Sequence, residues 1–283
     1  MTLVRLVTTG PFDSPVVVAA MDGWVDSGSA ATLAAGLLAE DGDTLATFDS
    51  DRIYDYRARR PTLEITDGMP STLTWPELKL VRRRLDGRDV LVLTGPEPDY
   101  RWQQLGAELA QIARMLEVQE WISLGAIPAA VPHTRPVTVF GTASAQGILR
   151  AEVEAGPIGT MTVPAAAISI LDLALSGAGV PAIGYFAQVP HYVSGEYPAA
   201  ALELLSILEQ HLGISIPRGS LEDEARALRQ RLDTAAAADS QTRAYVERLE
   251  GMVDEARLPS GRELISDIER FLRDRGAETD TRG

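Results

Sequence analysis

The feature that most constrains this chain is a compact apolar run at residues 16–21, Val-Val-Val-Ala-Ala-Met, set between Pro15 and Gly23. A strand with one face in water alternates apolar and polar residues, whereas an unbroken run of this length is the pattern of a strand buried on both faces. Residues 29–40 follow, rich in Ala and Leu, and predict a helix with Ser27 or Ser29 at its N-cap. Residues 90–94, 121–124 and 182–189 repeat the buried-strand character. Residues 102–116 place Leu105, Leu109, Ile112 and Leu116 on one helical face. Strands alternating with helices predict an α/β fold, a three-layer α/β/α arrangement around a largely parallel sheet.

Two stretches depart from that rhythm. Residues 45–80 carry short β-type runs, Pro61, Pro70 and Pro76, and the turn signal Asp67-Gly68, and predict short edge strands and loops. Residues 137–163, with Thr-, Val- and Ala-rich runs around Ala155-Gly156-Pro157, predict a projecting β-hairpin insertion in a core spanning residues 1–216. Beyond Pro198 the pattern is helical over residues 198–212, 221–238, 242–256 and 261–275, with breaks at Pro217 and Pro259. The stripe Leu221, Ala225, Leu228 and Leu232 needs a surface, so residues 217–275 are expected to fold back as a helical lid or extension. The polar tail, residues 276–283, is expected to be disordered.

Charge narrows the partners. With 26 Lys and Arg against 40 Asp and Glu, the net charge of -14 opposes a polyanionic backbone, so nucleic acid is not an expected partner. The sequence has no cysteine, which removes disulfides and thiolate chemistry and agrees with a reducing compartment. The first ten residues lack the basic region and apolar run of a signal peptide, and no apolar stretch reaches membrane-spanning length. A cytoplasmic setting is expected, with no membrane contact.

Polar residues follow several of the buried strands. The turn Gly23-Trp24-Val25-Asp26-Ser27-Gly28 joins the first strand to its helix; it reads either as a ligand-binding turn or as a capped strand-to-helix connection. Gly95-Pro96-Glu97-Pro98-Asp99 fixes Glu97 between two prolines, where it could act as a base or point to water while Asp99 caps the helix containing Trp102. Pro132-His133-Thr134-Arg135-Pro136 offers an imidazole beside a guanidinium, either as a binding pair or as a lock for the following segment. His191 and Tyr192 close a further strand, and His211 reads as an ordinary surface or packing residue. No metal-ligand spacing, Rossmann fingerprint, Walker loop or nucleophile elbow is present, and no cofactor is expected. If the strands are neighbours, Asp26, Glu97, His133 and Arg135 would line one cleft.

The turn ending in Gly28, Phe48-Asp49-Ser50, Tyr54-Asp55-Tyr56, Arg60-Pro61, the segment from Thr94 to Asp99 with Arg101-Trp102, and Pro132-His133-Thr134-Arg135-Pro136 together resemble the actinobacterial branch of the PAC2 (proteasome assembly chaperone 2) family. Leu258-Pro259-Ser260-Gly261 and Phe271-Leu272 are similar to that branch too. The resemblance implies a phosphorylase/hydrolase-like three-layer core, related in architecture only to nucleoside phosphorylases and some peptidases, and it transfers no chemistry by itself. It also implies an assembly or interaction protein and a cyclic assembly; Val137, Val139, Phe140, Ile148, Leu149 and Ile158, with little local core, need a partner surface, so a homo-oligomer, a trimer, is expected to form through residues 137–163. Docking relatives carry a hydrophobic-Tyr-X tail; this chain ends Asp280-Thr281-Arg282-Gly283, which argues against direct insertion into proteasome pockets. The rival expectation is a hydrolase or transferase acting on a small anionic ligand at the strand ends.

Overall fold

The computed structural model describes residues 2–8, 10–150, 153–157 and 159–256. The helix expected over residues 261–275, the tail beyond it, Leu258-Pro259-Ser260-Gly261, Phe271-Leu272 and Ile158 lie outside the described residues. In chain order, β1 (Val4–Leu6) and β2 (Val16–Asp22) precede α1 (Ala30–Ala39), β3 (Asp43–Phe48) and the one-turn α2 (Ser50–Ile53). Next come β4 (Thr62–Thr66), β5 (Met69–Thr74), β6 (Lys79–Leu85), β7 (Arg88–Pro96), α3 (Trp102–Met115) and β8 (Glu120–Ala129). The remainder is β9 (Val139–Ala143), β10 (Glu154–Ala155), α4 (Ala167–Gly177), β11 (Ala182–Pro190), α5 (Pro198–Leu212), α6 (Leu221–Ala238) and α7 (Ser240–Ala256).

Among the described residues the main sheet runs β1-β3-β6-β7-β2-β8-β11-β9-β10. It is mixed: the four central strands β7-β2-β8-β11 are mutually parallel, while β1, β3 and β6 pair antiparallel on one flank and β9 pairs antiparallel with β11 on the other. The parallel character read from the apolar runs therefore belongs to the centre, because only there do both faces need covering. β2 shows how. Val16, Val18 and Ala20 face the core packed by α1 and α5, and Val17, Ala19 and Met21 face the core packed by α3 and α4. Leu221 of α6 is buried in the first core, and Leu228 and Leu232 pack against it. None of the described helices is long and apolar enough to cross a membrane.

Residues 137–163 are not the projecting hairpin expected of them. β9 joins the sheet through β11, and β10 pairs with β9 in parallel. Val137, Val139, Ile148 and Leu149 pack against the first core, and Phe140 stacks on Phe186 at 5.4 Å. These apolar residues find their cover within the chain. The hairpin that does stand alone is β4–β5, a separate two-stranded sheet turning at Asp67-Gly68, with every residue of both strands exposed.

Beneath α4, the Asp172 carboxylate accepts hydrogen bonds from Ser123 Oγ and from Trp121 Nε1, the latter at 2.7 Å. Burial pushes Asp172 from its ordinary 3.8 up to about 6, against the pull of those two donors. A carboxyl that binds its proton more tightly when folded stabilises fully below the unfolded value and loses that contribution as pH rises through the folded one. Replacing Asp172 by Asn should therefore leave the urea midpoint nearly unchanged at pH 4. Toward pH 7 the variant should become more stable than the parent, by at most about 3 kcal/mol. A stability difference that does not vary with pH would contradict this assignment.

Candidate functional site

The sequence-predicted residues all sit beyond the carboxyl ends of the central strands, and the structure brings them into three groups. The first is Asp26. Its Oδ1 accepts the backbone N–H of Ala31 at 2.8 Å and of Thr32 at 3.3 Å, and its Oδ2 accepts Thr32 Oγ1. A helix start leaves up to four N–H groups without intrahelical partners, and this carboxylate takes two of them. Neither Ser27 nor Ser29 caps α1 by its side chain; Ser27 and Gly28 lie in a 3-10 turn (Ser27–Ser29). Gly28 adopts φ 63°, and a Cβ there would meet Tyr197 Cβ at 2.8 Å, so this turn requires glycine. Burial pushes the Asp26 carboxyl up, opposed by its hydrogen bonds from Thr32 and Ala31.

The second group centres on Glu97. Its Oε2 accepts the Trp24 N–H at 3.1 Å, and its Oε1 accepts the N–H of Ala167, the first residue of α4, at 2.6 Å. Its own N–H donates to Asp22 O at 2.8 Å. One carboxylate thus ties the end of β7 to the turn after β2 and to a helix 70 residues away. The contact depends on Gly23, where a Cβ would stand 2.4 Å from Glu97 Oε2 and 2.6 Å from its Cβ. Trp24 itself is exposed. Trp102 donates its Nε1 hydrogen to Pro98 O and packs against the second core, which makes it a support of this turn.

The third group joins the loop after β8, the end of β11 and helices α6 and α7. Tyr192 Oη lies 2.7 Å from both the backbone N and Nδ1 of His133, and His133 Nε2 lies 3.2 Å from Asp233 Oδ1. A neutral ring protonated on Nε2 satisfies all of these contacts: the hydroxyl accepts from the backbone and donates to Nδ1, while Nε2–H donates to Asp233. Burial accordingly holds the His133 ring below the usual imidazole range, helped by Arg229 and opposed by Asp233 and Glu250. Arg229 donates to His133 O at 2.7 Å. Arg135 makes a two-pronged contact with Asp254 at 2.9 and 2.7 Å, Glu250 Oε1 lies 3.3 Å from it, and Thr134 donates to Glu250. His191 donates through Nδ1 to Ala129 O and accepts at Nε2 from Tyr245 Oη, both at 2.9 Å. The imidazoles and the guanidinium are therefore the seat on which α6 and α7 rest.

Each group finds hydrogen-bond partners within the chain, at a helix start for Asp26 and Glu97 and on α6 and α7 for His133, Arg135 and His191. Among the described residues no set of three or more His, Cys, Asp or Glu is placed to hold a metal. Sequence reasoning missed another polar cluster, lying within the fold. His211 is buried, its Nδ1 2.7 Å from Tyr185 Oη and its Nε2 3.0 Å from Glu120 Oε2. A signal was present, since His211 follows Leu204 and Leu208 at helical spacing and so falls on the apolar face of α5.

If Glu97 carries the load described, Glu97→Ala should lower stability by about 0.5–1.5 kcal/mol, the usual net worth of a hydrogen bond that water can partly replace. Gly23→Ala should lower it too, by displacing the same carboxylate. A double-mutant cycle should show strong non-additivity, because both changes remove one set of contacts. Additive losses would separate the two residues.

The sequence model of the PAC2 family matches residues 20–236. A PAC2 family protein from Streptomyces avermitilis is 38% identical with a TM-score of 0.73, covering 82% of this chain and 99% of its own. A proteasome-assembly chaperone homologue of Mycobacterium tuberculosis is 34% identical at the same TM-score and the same coverage. A Corynebacterium glutamicum protein of unknown function is 30% identical with a TM-score of 0.81, covering 90% of this chain and 98% of its own. The curated proteins contain no match. The family match spans more than half of the sequence and takes in all three groups of strand-end residues, so this chain belongs to the PAC2 family.

Proposed function

We propose that this chain works as an assembly or interaction protein rather than as an enzyme, and that it does so as a homo-oligomer in the cytoplasm. The observation that carries the reading is the β4–β5 hairpin. Leu63 pairs with Leu73 and Ile65 with Pro70 across it, and Leu63, Ile65, Met69, Leu73 and Trp75 are all exposed, Ile65 and Met69 by 64% and 67%. An isolated two-stranded hairpin is marginal in water, and an apolar one is stabilised by a covering surface.

The occupant we favour is a second copy. Met161 and Val163, in the chain leading to α4, and Leu173 on α4 are also exposed, Leu173 by 71%. An arm on one part of a chain and exposed apolar residues on another give a head-to-tail contact, which closes into a ring when its rotation divides a full turn. A trimer is the small ring we propose, with the arm in place of the 137–163 segment as the connecting element. The name of the Mycobacterium tuberculosis relative, a proteasome-assembly chaperone homologue, supports work on another protein. The cysteine-free sequence supports a reducing compartment.

The rival reading, a hydrolase or transferase for a small anionic ligand, needs free strand-end groups. Here Asp26 and Glu97 serve helix starts, and His133 and Arg135 are engaged by the carboxylates of Asp233, Glu250 and Asp254. An anion would have to displace those carboxylates to bind.

Light scattering at micromolar concentration should report a multiple of the 30.5 kDa chain. Leu63→Glu with Leu73→Glu should reduce it to the monomer without changing the far-ultraviolet circular dichroism, since both residues lie outside the two cores. A monomeric parent, or an unchanged mass in the variant, would overturn the proposal.

A further inference from the structure

Glu120 opens β8, His211 lies near the end of α5, Tyr185 sits within β11, and all three are buried. They converge on Arg150. Its guanidinium donates to Glu120 Oε1 at 2.6 Å, and its backbone carbonyl accepts from Tyr185 Oη at 3.1 Å. The same hydroxyl is 2.7 Å from His211 Nδ1, and His211 Nε2 is 3.0 Å from Glu120 Oε2. We propose that Glu120, His211 and Tyr185 form a proton-operated clamp on Arg150, in which one proton on the Glu120–His211 pair decides whether the segment preceding Arg150 is held to the sheet edge.

The hydrogens available to these four contacts limit the protonation states that can satisfy them. A carbonyl only accepts, so the single phenolic hydrogen of Tyr185 must go to Arg150 O. The Tyr185 oxygen can then meet His211 Nδ1 only if Nδ1 carries a hydrogen. Nε2 faces a carboxylate oxygen, which also only accepts when ionised, so Nε2 must carry one as well. All four contacts exist together only with an imidazolium, or with the equivalent extra proton on Glu120. The Arg150 guanidinium donates to Glu120 Oε1, and the proton is assigned to the ring, which faces both Glu120 and Tyr185.

A neutral ring forces a choice. With its hydrogen on Nε2 it serves Glu120, and Tyr185 turns its hydroxyl to the bare Nδ1, releasing the Arg150 carbonyl. With its hydrogen on Nδ1 it sets a lone pair against the carboxylate, which is repulsive. Neutrality therefore selects the released form and proton uptake the clamped form; by linkage, clamping and proton binding strengthen each other. The groups facing His211 are Glu120 from β8, Tyr185 from β11, Arg150, and Arg88 from β7, the last two opposing its charge. Burial is the largest influence and holds the ring below the usual imidazole range, so the change falls on the acid side of neutrality.

The clamp has something to move. Residues 144–147 and Leu149 wall an open groove of about 590 Å3 together with Gly141, Thr142, Ala143 and residues 155–157. Leu149 lies directly over Gly141, where a Cβ would meet it at 2.5 Å. Releasing the Arg150 carbonyl loosens this wall beside β9, while the guanidinium stays on Glu120.

Hydrogen exchange of residues 144–150, corrected for the intrinsic effect of pH, tests the proposal on the full chain. Protection should rise at least about threefold between pH 7.5 and pH 5.5 in the parent and stay flat in Tyr185→Phe, which keeps the ring but lacks the hydroxyl. The same pH profile in both, or no profile in the parent, would overturn the clamp. Nitrogen-15 shifts of the His211 ring in the unaltered protein give a second reading independent of any variant. A neutral form protonated on Nε2 that becomes doubly protonated on acidification is expected, and a neutral form protonated on Nδ1 would refute it.

Discussion

Parallel strands feeding helices deliver helix starts to the carboxyl edge of the sheet, and unpaired N–H groups at those starts must be satisfied. In this chain two carboxylates answer that demand. Asp26 takes the start of α1 locally, while Glu97 takes the start of α4 from another strand and fastens the Trp24 turn with its second oxygen. The rest of the upper edge follows. Gly23 is fixed by the approach of Glu97, and Trp102 braces the same turn through Pro98. The remaining strand ends, carrying His133, Arg135 and His191, receive the acidic faces of α6 and α7.

This arrangement explains why a strand-end concentration of acids and imidazoles need not be an active site. Polar groups gather where ligands bind in α/β sheets, but the same place is where helix starts gather. The two uses look alike in sequence. They separate once partners are known, because a carboxylate whose oxygens already accept backbone N–H groups has those lone pairs committed to the fold. The imidazole of His133 is likewise satisfied in its neutral form between Tyr192 and Asp233.

Much of the fold was legible. The doubly buried runs at residues 16–21, 90–94, 121–124 and 182–189 became the four parallel central strands, and the helical periodicities gave α1, α3, α5, α6 and α7 within a residue or two. What local pattern could not supply was long-range partnership. Glu97 looked rigid and free because its partner Ala167 is far along the chain. Residues 137–163 looked coreless because Val137, Val139 and Leu149 are covered by a core built elsewhere. The hairpin went unplaced although its turn at Asp67-Gly68 was visible, since Pro70 and Pro76 read as loop signals. His211 read as an ordinary surface or packing residue, and only its contacts with Glu120 and Tyr185 reveal its use.

The account turns on where this protein meets its partner: at an exposed apolar arm, and not at the occupied strand ends. Hydrogen exchange of residues 62–75 followed as a function of protein concentration addresses that most directly. Exchange in the arm should slow as concentration rises, with the strand-end groups unaffected and inorganic phosphate without influence on either. An arm that exchanges fast at every concentration, together with strand ends that phosphate protects, would contradict the account and favour a small-anion site.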